Sequence, residues 1–240
     1  MLEYTKLKKN HREFVALTSL TPQEFNILLP AFRRVYERHY PPHKTLAGRR
    51  RKRKAGGGRK SPLRTLEQKL LFVLVYQKTY PLQVVLGAVF EIRQSRANRW
   101  VQQLMPILYQ ALNEWGVLPE RDPRHFARHE RRQGEPLDLI IDGTERRRQR
   151  PKKPEKQTLH YSGKKKTHSD KNVVIVNRRT KRVGYLSRTY PGKEHDKKLA
   201  DKERIAYPRA ATLYKDTGFQ GYEPRVQQTH QPKKSRAKEL

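Results

Sequence analysis

The 240-residue chain contains no cysteine, which excludes a disulfide framework, thiolate zinc sites and thiol catalysis together. Any metal must therefore be held by oxygen or imidazole. Acidic residues are scarce as well: 23 Asp and Glu stand against 55 Lys and Arg, a formal net charge of +32. That excess goes far beyond what solubility requires and points to a polyanionic partner. The longest apolar run, around Leu70 to Val75, is too short to span a bilayer, and the N-terminus shows no apolar region followed by a cleavage site. A soluble, intracellular protein with no membrane partner is expected, cytoplasmic and, given its charge, nucleoid-associated. Anionic lipid is the weaker alternative, because it calls for one long amphipathic helix with Lys and Arg along a face. Here the basic residues are spread over loops and several elements, so nucleic acid fits better. Hydrophobic residues make up 34% of the chain, enough for modest cores in one or two domains.

The first forty residues read as helical. Thr21-Pro22-Gln23-Glu24 forms a capping box with proline at the first helical position. The helix it opens carries Phe25, Leu28, Leu29, Phe32, Val35 and Tyr36 on one face and stops at Pro41-Pro42. From His43 to Lys60 the chemistry is that of a loop, with a basic run from Arg49 to Lys54 and the triplet Gly56-Gly57-Gly58. Two readings stay open for it: a solvated linker, or an arm that lies along DNA phosphates.

Helical signals return from Pro62 to Trp115. Thr65 caps a helix with Gln68 three residues on, and Leu66, Leu70, Leu71 and Leu74 lie on or near one face. Pro81 opens a short helix whose buried stripe is expected to be Leu82, Val85, Leu86 and Val89. After the turn Glu91-Ile92-Arg93 another helix follows, with Ala97, Trp100, Val101, Leu104 and Leu108 inward; Pro106 is expected to bend or divide it. Two short helices joined by such a turn form the arrangement of a helix-turn-helix. The outward positions of the second helix hold Gln94, Ser95, Arg96, Asn98, Arg99, Gln102 and Gln103, side chains suited to base edges and phosphates. A plain three-helix packing unit is the competing reading, and the net charge favours DNA.

Beyond about Pro119 strand signals appear. Arg121 to Gln133 reads as a charged connector, and Leu137 to Thr144 as a buried strand that ends in Asp142 and Gly143. Further strands are expected at Asn172 to Asn177, Arg182 to Thr189 and Ala211 to Lys215, with a helix from about Asp196 to Ile205 and a hairpin turn at Arg178 to Lys181. The strand from Ala211 leads into Asp216-Thr217-Gly218. Two strands that each deliver an aspartate to one sheet make a minimal oxygen-only site for Mg²⁺ or Mn²⁺. Either aspartate alone could simply begin a turn with its glycine.

Ile141-Asp142-Gly143-Thr144-Glu145, Gln149-Arg150-Pro151 and Tyr161 to His168 together resemble the first catalytic block of insertion-sequence DDE transposases. The resemblance continues through His195 to Asp201 and Asp216 to Tyr222, and upstream through Gly57 to Lys60, Thr79-Tyr80-Pro81 and the helix-turn-helix. It covers nearly the whole chain in order. It implies an α+β multidomain protein in which an N-terminal all-α helix-turn-helix region precedes an RNase H-like α/β domain. The expected segments are a helical stretch and basic linker over 1–60, the DNA-binding domain over 61–118 and the endonuclease domain over 119–240. In that family three carboxylates bind two divalent metal ions that drive an in-line displacement at phosphorus. The resemblance gives Asp142 the place of the first carboxylate and Asp216 that of the second.

The third carboxylate should stand on a helix well after Asp216, and the tail Gln231 to Leu240 looks like the basic loop before that helix. Glu239 is therefore a poor substitute, and Glu145, Glu194 and Glu223 lack the helical placement. The domain is thus expected to be incomplete, its C-terminal helix missing, with little strand transfer, weak metal binding and apolar surface exposed on its last strands. The basic segment from Arg146 to Lys171, with His160, Tyr161 and His168 interleaved, either holds DNA backbone beside the aspartates or is a solvated loop. His168 and His195 are assigned to DNA contact or structure rather than to metal.

The resulting expectation is a transposase that binds the terminal inverted repeats of its own element on double-stranded DNA and cuts them with Mg²⁺ or Mn²⁺. Its DNA contacts would run through Gln94, Ser95, Arg96, Asn98, Arg99 and Gln102, Arg59 and Lys60, and Lys164, Lys165 and Lys166. The alternative is a non-catalytic DNA-binding remnant or regulator. An RNA-binding or ribosomal protein would fit the charge but not the paired aspartates. A homo-oligomer on DNA is one option that the sequence leaves open.

Overall fold

The structure, a computed structural model, describes residues 1–45, 48–52, 61–132 and 137–232. Arg59, Lys60, the triplet Gly56 to Gly58 and Glu239 lie outside the described residues. Residues Met1–Val117 form one unit and Leu118–Leu240 another.

The first unit is all helical. Its elements are α1 (Tyr4–Leu7), α2 (His11–Thr18), α3 (Pro22–His39), α4 (Leu66–Thr79), α5 (Gln83–Val89) and α6 (Gln94–Trp115). The capping box at Thr21 forms as expected, the hydroxyl accepting from the Glu24 amide and the Glu24 carboxylate accepting from the Thr21 amide. Thr65 likewise accepts from the Gln68 amide at 3.1 Å to start α4. From Gln68 to Val75 every residue of α4 is buried, so this helix has no solvent face over two turns. A helix apolar on all sides belongs at the centre of its bundle. The N-terminal segment is tied to it: the Gln68 carboxamide accepts from the Tyr4 amide at 3.0 Å and donates to the Leu2 carbonyl. The buried Lys69 ammonium donates to the Arg64 carbonyl at 2.9 Å and lies over the rings of Tyr36 and Trp100. Burial holds its pKa below the usual lysine value.

Two expectations need correction here. In α5 only Leu86 and Gly87 are buried, whereas Leu82, Val85 and Val89 are 74%, 49% and 40% exposed. A two-turn helix that rests on its neighbour through a glycine has no room for a wider buried stripe. Pro106 does not divide α6, which runs unbroken to Trp115 and ends at Gly116 in the left-handed conformation. Pro106 and the corresponding Pro30 of α3 both face solvent. There water can satisfy the carbonyl that each proline leaves without an amide partner.

The second unit is a mixed sheet with helices. It comprises α7 (Phe126–Arg132), β1 (Asp138–Arg147), α8 (Pro154–His160), β2 (Tyr161–Ser162), β3 (Thr167–Asn177), β4 (Val183–Leu186), β5 (Tyr190–Pro191), α9 (Asp196–Glu203), β6 (Thr212–Lys215) and β7 (Gln228–His230). The strand order is β2-β3-β1-β6-β7, with β4 and β5 also paired to β3. β1 and β3 are antiparallel over nine residue pairs from Leu139↔Asn177 to Arg147↔Ser169, so both strands run well past the apolar stretches that announced them. The chain then crosses through α9 to β6, which pairs parallel to β1, and β7 adds a further parallel strand. Three antiparallel strands followed by a helix and two parallel strands form an RNase H-like α/β domain.

Leu139, Ile141, Val173, Ile175 and Leu213 fill the core with Leu199 and Ala200 of α9. Phe126 of α7 packs on Tyr185 and Tyr207, ring centroids 5.7 and 5.8 Å apart. The hydroxyls of Tyr185 and Tyr190 both donate to the buried Glu203 carboxylate. Phe219 and Tyr222 are buried too, so among the described residues the last strands expose no large apolar side chain, contrary to expectation.

The tightest backbone approach in the first unit concerns Gly87, where an added Cβ would stand 2.6 Å from the Ile92 carbonyl oxygen. Helix propensity favours alanine over glycine there, so the outcome separates packing from propensity. Gly87→Ala is expected to lower the stability of the chain by about 1–3 kcal/mol, measured as a fall in denaturant midpoint; an unchanged or raised midpoint would show that the turn is not close-packed.

Candidate functional site

Two groups of residues carry chemistry, one in each unit. In the first, the turn Phe90 to Arg93 joins α5 to α6, with Glu91 in the left-handed region at φ 54° and the Ile92 amide donating to the Gly87 carbonyl at 2.9 Å. α6 then presents Gln94, Ser95, Arg96, Asn98, Arg99 and Gln102 to solvent, while Ala97, Val101 and Leu104 face the core. Gln83 of α5 was not singled out by the sequence. Its carboxamide accepts from Gln94 at 2.7 Å and donates to Asn98 at 3.2 Å. It therefore links the first two turns of α6 to α5 and orients two of the exposed amides.

In the second unit the parallel register decides the geometry. Ile141 pairs with Lys215, the last pair of the ladder, and Asp142 and Asp216 are the residues that follow it on the two strands. Asp142 does not end its strand as expected: β1 continues to Arg147, and the aspartate lies in mid-strand, exposed. Asp216 follows β6 and caps a short 3-10 turn, its carboxylate accepting from the Gly218 amide at 3.0 Å. The Asp142 carboxylate accepts from the Gly143 amide at 2.8 Å. Among the described residues neither carboxylate has a cationic partner, although the chain has 55 Lys and Arg. The loop after Asp216 is held by Lys215, whose buried ammonium donates to the Tyr222 carbonyl and to Glu223.

A third carboxylate close by belongs to Asp196, the first residue of α9. A Cβ on Gly143 would lie 2.6 Å from its Oδ1, and a Cβ on Gly218 would lie 3.3 Å from its Oδ2 and 3.1 Å from Asp216 Oδ1. The glycines that follow the two aspartates thus leave room for the Asp196 side chain. Lys171 holds that side chain at 3.2 Å and is itself anchored on the Glu194 carbonyl at 2.9 Å. Nothing in the local spacing around Asp196 signals this placement, which arises only when α9 packs on the sheet.

The other carboxylates weighed from sequence have structural partners. Glu223 binds Lys215, Glu194 pairs with Lys202, and Glu145 accepts from Ser169. His160 contacts Asp170 at 2.9 Å, and His168 packs against Tyr161 with ring centroids 5.6 Å apart. Lys164, Lys165 and Lys166 occupy the exposed turn between β2 and β3, closed by the Ser162↔Thr167 pair. Asp142 and Asp216 offer oxygen donors only, the donor set of a hard divalent cation. Among the described residues no group of three or more His, Asp or Glu side chains could hold a metal ion.

An RNase H-like sheet that follows a helix-turn-helix in the chain is the arrangement of a DNA-binding protein of nuclease type. The family model for the helix-turn-helix of DDE superfamily endonuclease matches residues 61–114, and that for the DDE superfamily endonuclease itself matches residues 141–239. The chain belongs to the DDE-superfamily transposases, with a helix-turn-helix followed by an endonuclease domain. No curated protein and no solved structure matches it. Among the described residues no helix is long and apolar enough to cross a membrane.

Glu145 reports on the polar cluster beside Asp196. Burial raises its pKa, but hydrogen bonds from Ser162 and Ser169 and the charges of Lys171 and Lys165 outweigh that and hold it below the usual glutamate value. A depressed folded pKa gives stability that is present above the unfolded value of about 4.3 and is lost as pH falls through the folded value. Ser169→Ala removes one donor, so acid unfolding followed by circular dichroism is expected to begin at a higher pH than in the wild type. Superimposable acid transitions would show that this carboxylate is not held by Ser169.

Proposed function

We propose that this chain is the transposase of an insertion sequence, binding the terminal inverted repeats of its element through α6 and cutting DNA at the Asp142–Asp216 pair. The observation that supports this reading is the parallel pairing of β1 with β6 up to Ile141↔Lys215, the residues just before the exposed Asp142 and Asp216, neither of which has a cationic partner among the described residues. Two adjacent carboxylates left unpaired in so basic a chain repel one another unless a cation comes between them. Asp142 and Asp216 would hold Mg²⁺ or Mn²⁺, which when bound supplies Lewis-acid activation of a water or 3′-hydroxyl nucleophile and stabilises the leaving oxygen. The chain's own groups bind and orient the strand. Lys164, Lys165 and Lys166 offset the backbone charge near the aspartates, while Arg96, Asn98 and Arg99 read base edges from α6. Assembly as a homo-oligomer on paired ends and residence on the nucleoid belong to the same proposal.

A second reading, a DNA-binding regulator without chemistry, is favoured by one observation: among the described residues no group of three or more His, Asp or Glu side chains could hold a metal ion. In Mg²⁺ or Mn²⁺ the chain should nick a plasmid that carries the element ends. Asp142→Asn and Asp216→Asn should each reduce nicking by about a hundredfold or more, the scale on which loss of one preorganised electrostatic partner acts, and should lose Mn²⁺ binding in calorimetric titration while DNA affinity is kept. If wild type and Asp142→Asn bind Mn²⁺ alike and neither nicks, the regulator reading stands instead.

Recognition by α6 is tested apart from cleavage. Arg96→Ala or Asn98→Ala should cost about 1–3 kcal/mol on the cognate end and relax the base preference. Lys164→Ala should weaken cognate and scrambled DNA equally and make the salt dependence shallower by about 0.9 in log–log slope. Binding isotherms at several salt concentrations measure both; equal effects of Arg96→Ala on cognate and scrambled DNA would remove α6 from base reading.

A further inference from the structure

A cavity of about 900 Å³ has Asp196 and Gly218 in its lining. Its walls come from α8, from Tyr161 to Lys164 at the β2–β3 turn, from Gly192 to Asp196 ahead of α9, and from Gly218. Gly218 is two residues past Asp216, and the carboxylates of Asp196 and Asp216 both lie within 3.5 Å of the position its Cβ would take. Through Gly218 the cavity therefore reaches the Asp216 carboxylate, part of the site argued above to cut DNA.

The charge of this cavity is one-sided. Its two acids are already engaged, Asp196 with Lys171 and Glu194 with Lys202. Among the described residues Arg150, Lys164 and Lys193 have no carboxylate partner, and the Arg150 guanidinium is held in place by the Gln157 carboxamide at 2.9 and 3.1 Å. A pre-oriented guanidinium and exposed ammonium groups of this kind bind phosphate oxygens. Tyr161, which also lines the cavity, is 42% exposed. Its position is set by backbone pairing with His168, whose ring meets it edge to face at 70°. An exposed, fixed aromatic ring among cations is a platform for a nucleic-acid base. A paired and stacked base cannot reach such a ring, whereas an unpaired one can. The volume lies within the roughly 300–1,000 Å³ of small-molecule sites, enough for a nucleotide.

We propose that this cavity takes an unpaired nucleotide of the DNA strand next to the scissile phosphate, its base on Tyr161 and its phosphate among Arg150, Lys164 and Lys193. The proposal rests on the endonuclease reading of Asp142 and Asp216, because continuity with that pair is what makes the ligand a DNA strand rather than a free nucleotide.

The test is a binding measurement on the full chain in EDTA, which separates it from cleavage. Fluorescence anisotropy compares a blunt 20-base-pair duplex, the same duplex with a single-stranded pentanucleotide dA extension of either polarity, and free dAMP. The extended duplex of one polarity is expected to bind about five- to a hundredfold tighter than the blunt one. Tyr161→Ala should abolish that preference and leave blunt-duplex binding unchanged, Tyr161→Phe should retain it, and Asp142→Asn should retain it as well. Equal affinity for blunt and extended DNA, or an equal loss on both in Tyr161→Ala, overturns the proposal even where the chain nicks DNA. Binding of dAMP as tight as that of the extended duplex overturns it in favour of a mononucleotide site. A Tyr161-dependent preference in a chain that fails to nick upholds the nucleotide subsite and counts against the endonuclease reading alone.

Discussion

β1 and β6 run parallel, and the rest of the endonuclease domain is arranged around that pairing. Leu139 against Leu213 and Ile141 against Lys215 set the register, with both leucines and Ile141 buried in the core. A parallel partner cannot follow by a hairpin; the chain must leave the sheet and return. Here it does so through β3, β4 and α9, the segment that supplies most of the remaining core and all of the basic turn. A slip of one residue between β1 and β6 would turn the apolar set to the wrong face and separate Asp142 from Asp216 at the same time. Core burial therefore protects the placement of two exposed side chains that contribute no burial of their own.

Around those aspartates the positive charge is sorted rather than diffuse. Buried or half-buried cations each have a specific oxygen: Lys171 has Asp196 and the Glu194 carbonyl, Lys215 the Tyr222 carbonyl and Glu223. The exposed lysines of the β2–β3 turn have none of these constraints and remain available to an external anion. The same division holds in the first unit, where Lys69 is satisfied inside the bundle while Arg96 and Arg99 stand on the outer face of α6. Burial demands internal partners for charge, so the cations left over are concentrated where a polyanion can reach them.

What could be read from the residues alone follows the same physics. Long helices with caps and regular apolar spacing were legible: α3 with its box at Thr21, α4 with Thr65, and α6 with Ala97, Val101 and Leu104 inward. The central position of α4 was less so, since its stripe shows one face and only the tertiary arrangement buries the others. In the sheet, the apolar stretches of β1, β3 and β6 were visible, but β3 begins at Thr167 because polar residues there pair with the polar end of β1. α7, α8, β2, β5 and β7 are short and mostly polar, and β5 and β7 pair with strands well back in the sequence. Asp142 and Asp216 stood out through the strands that lead to them. Asp196 and Gln83 did not, because each matters through contacts across an interface between elements: α9 against the sheet, and α5 against α6.

The helix-turn-helix does not possess a hydrophobic interior of its own. Leu28, Phe32 and Val35 of α3 share one cluster with Leu104 and Leu108 of α6 and with the whole apolar body of α4. The stretch that matches the helix-turn-helix family, residues 61–114, is thus shorter than the piece of chain that closes the core around it. The portable part of this protein differs accordingly from its recognisable part. A graft that moved only the recognisable segment would carry α6 without the helices that close its core, whereas residues 1–117 make up one compact unit.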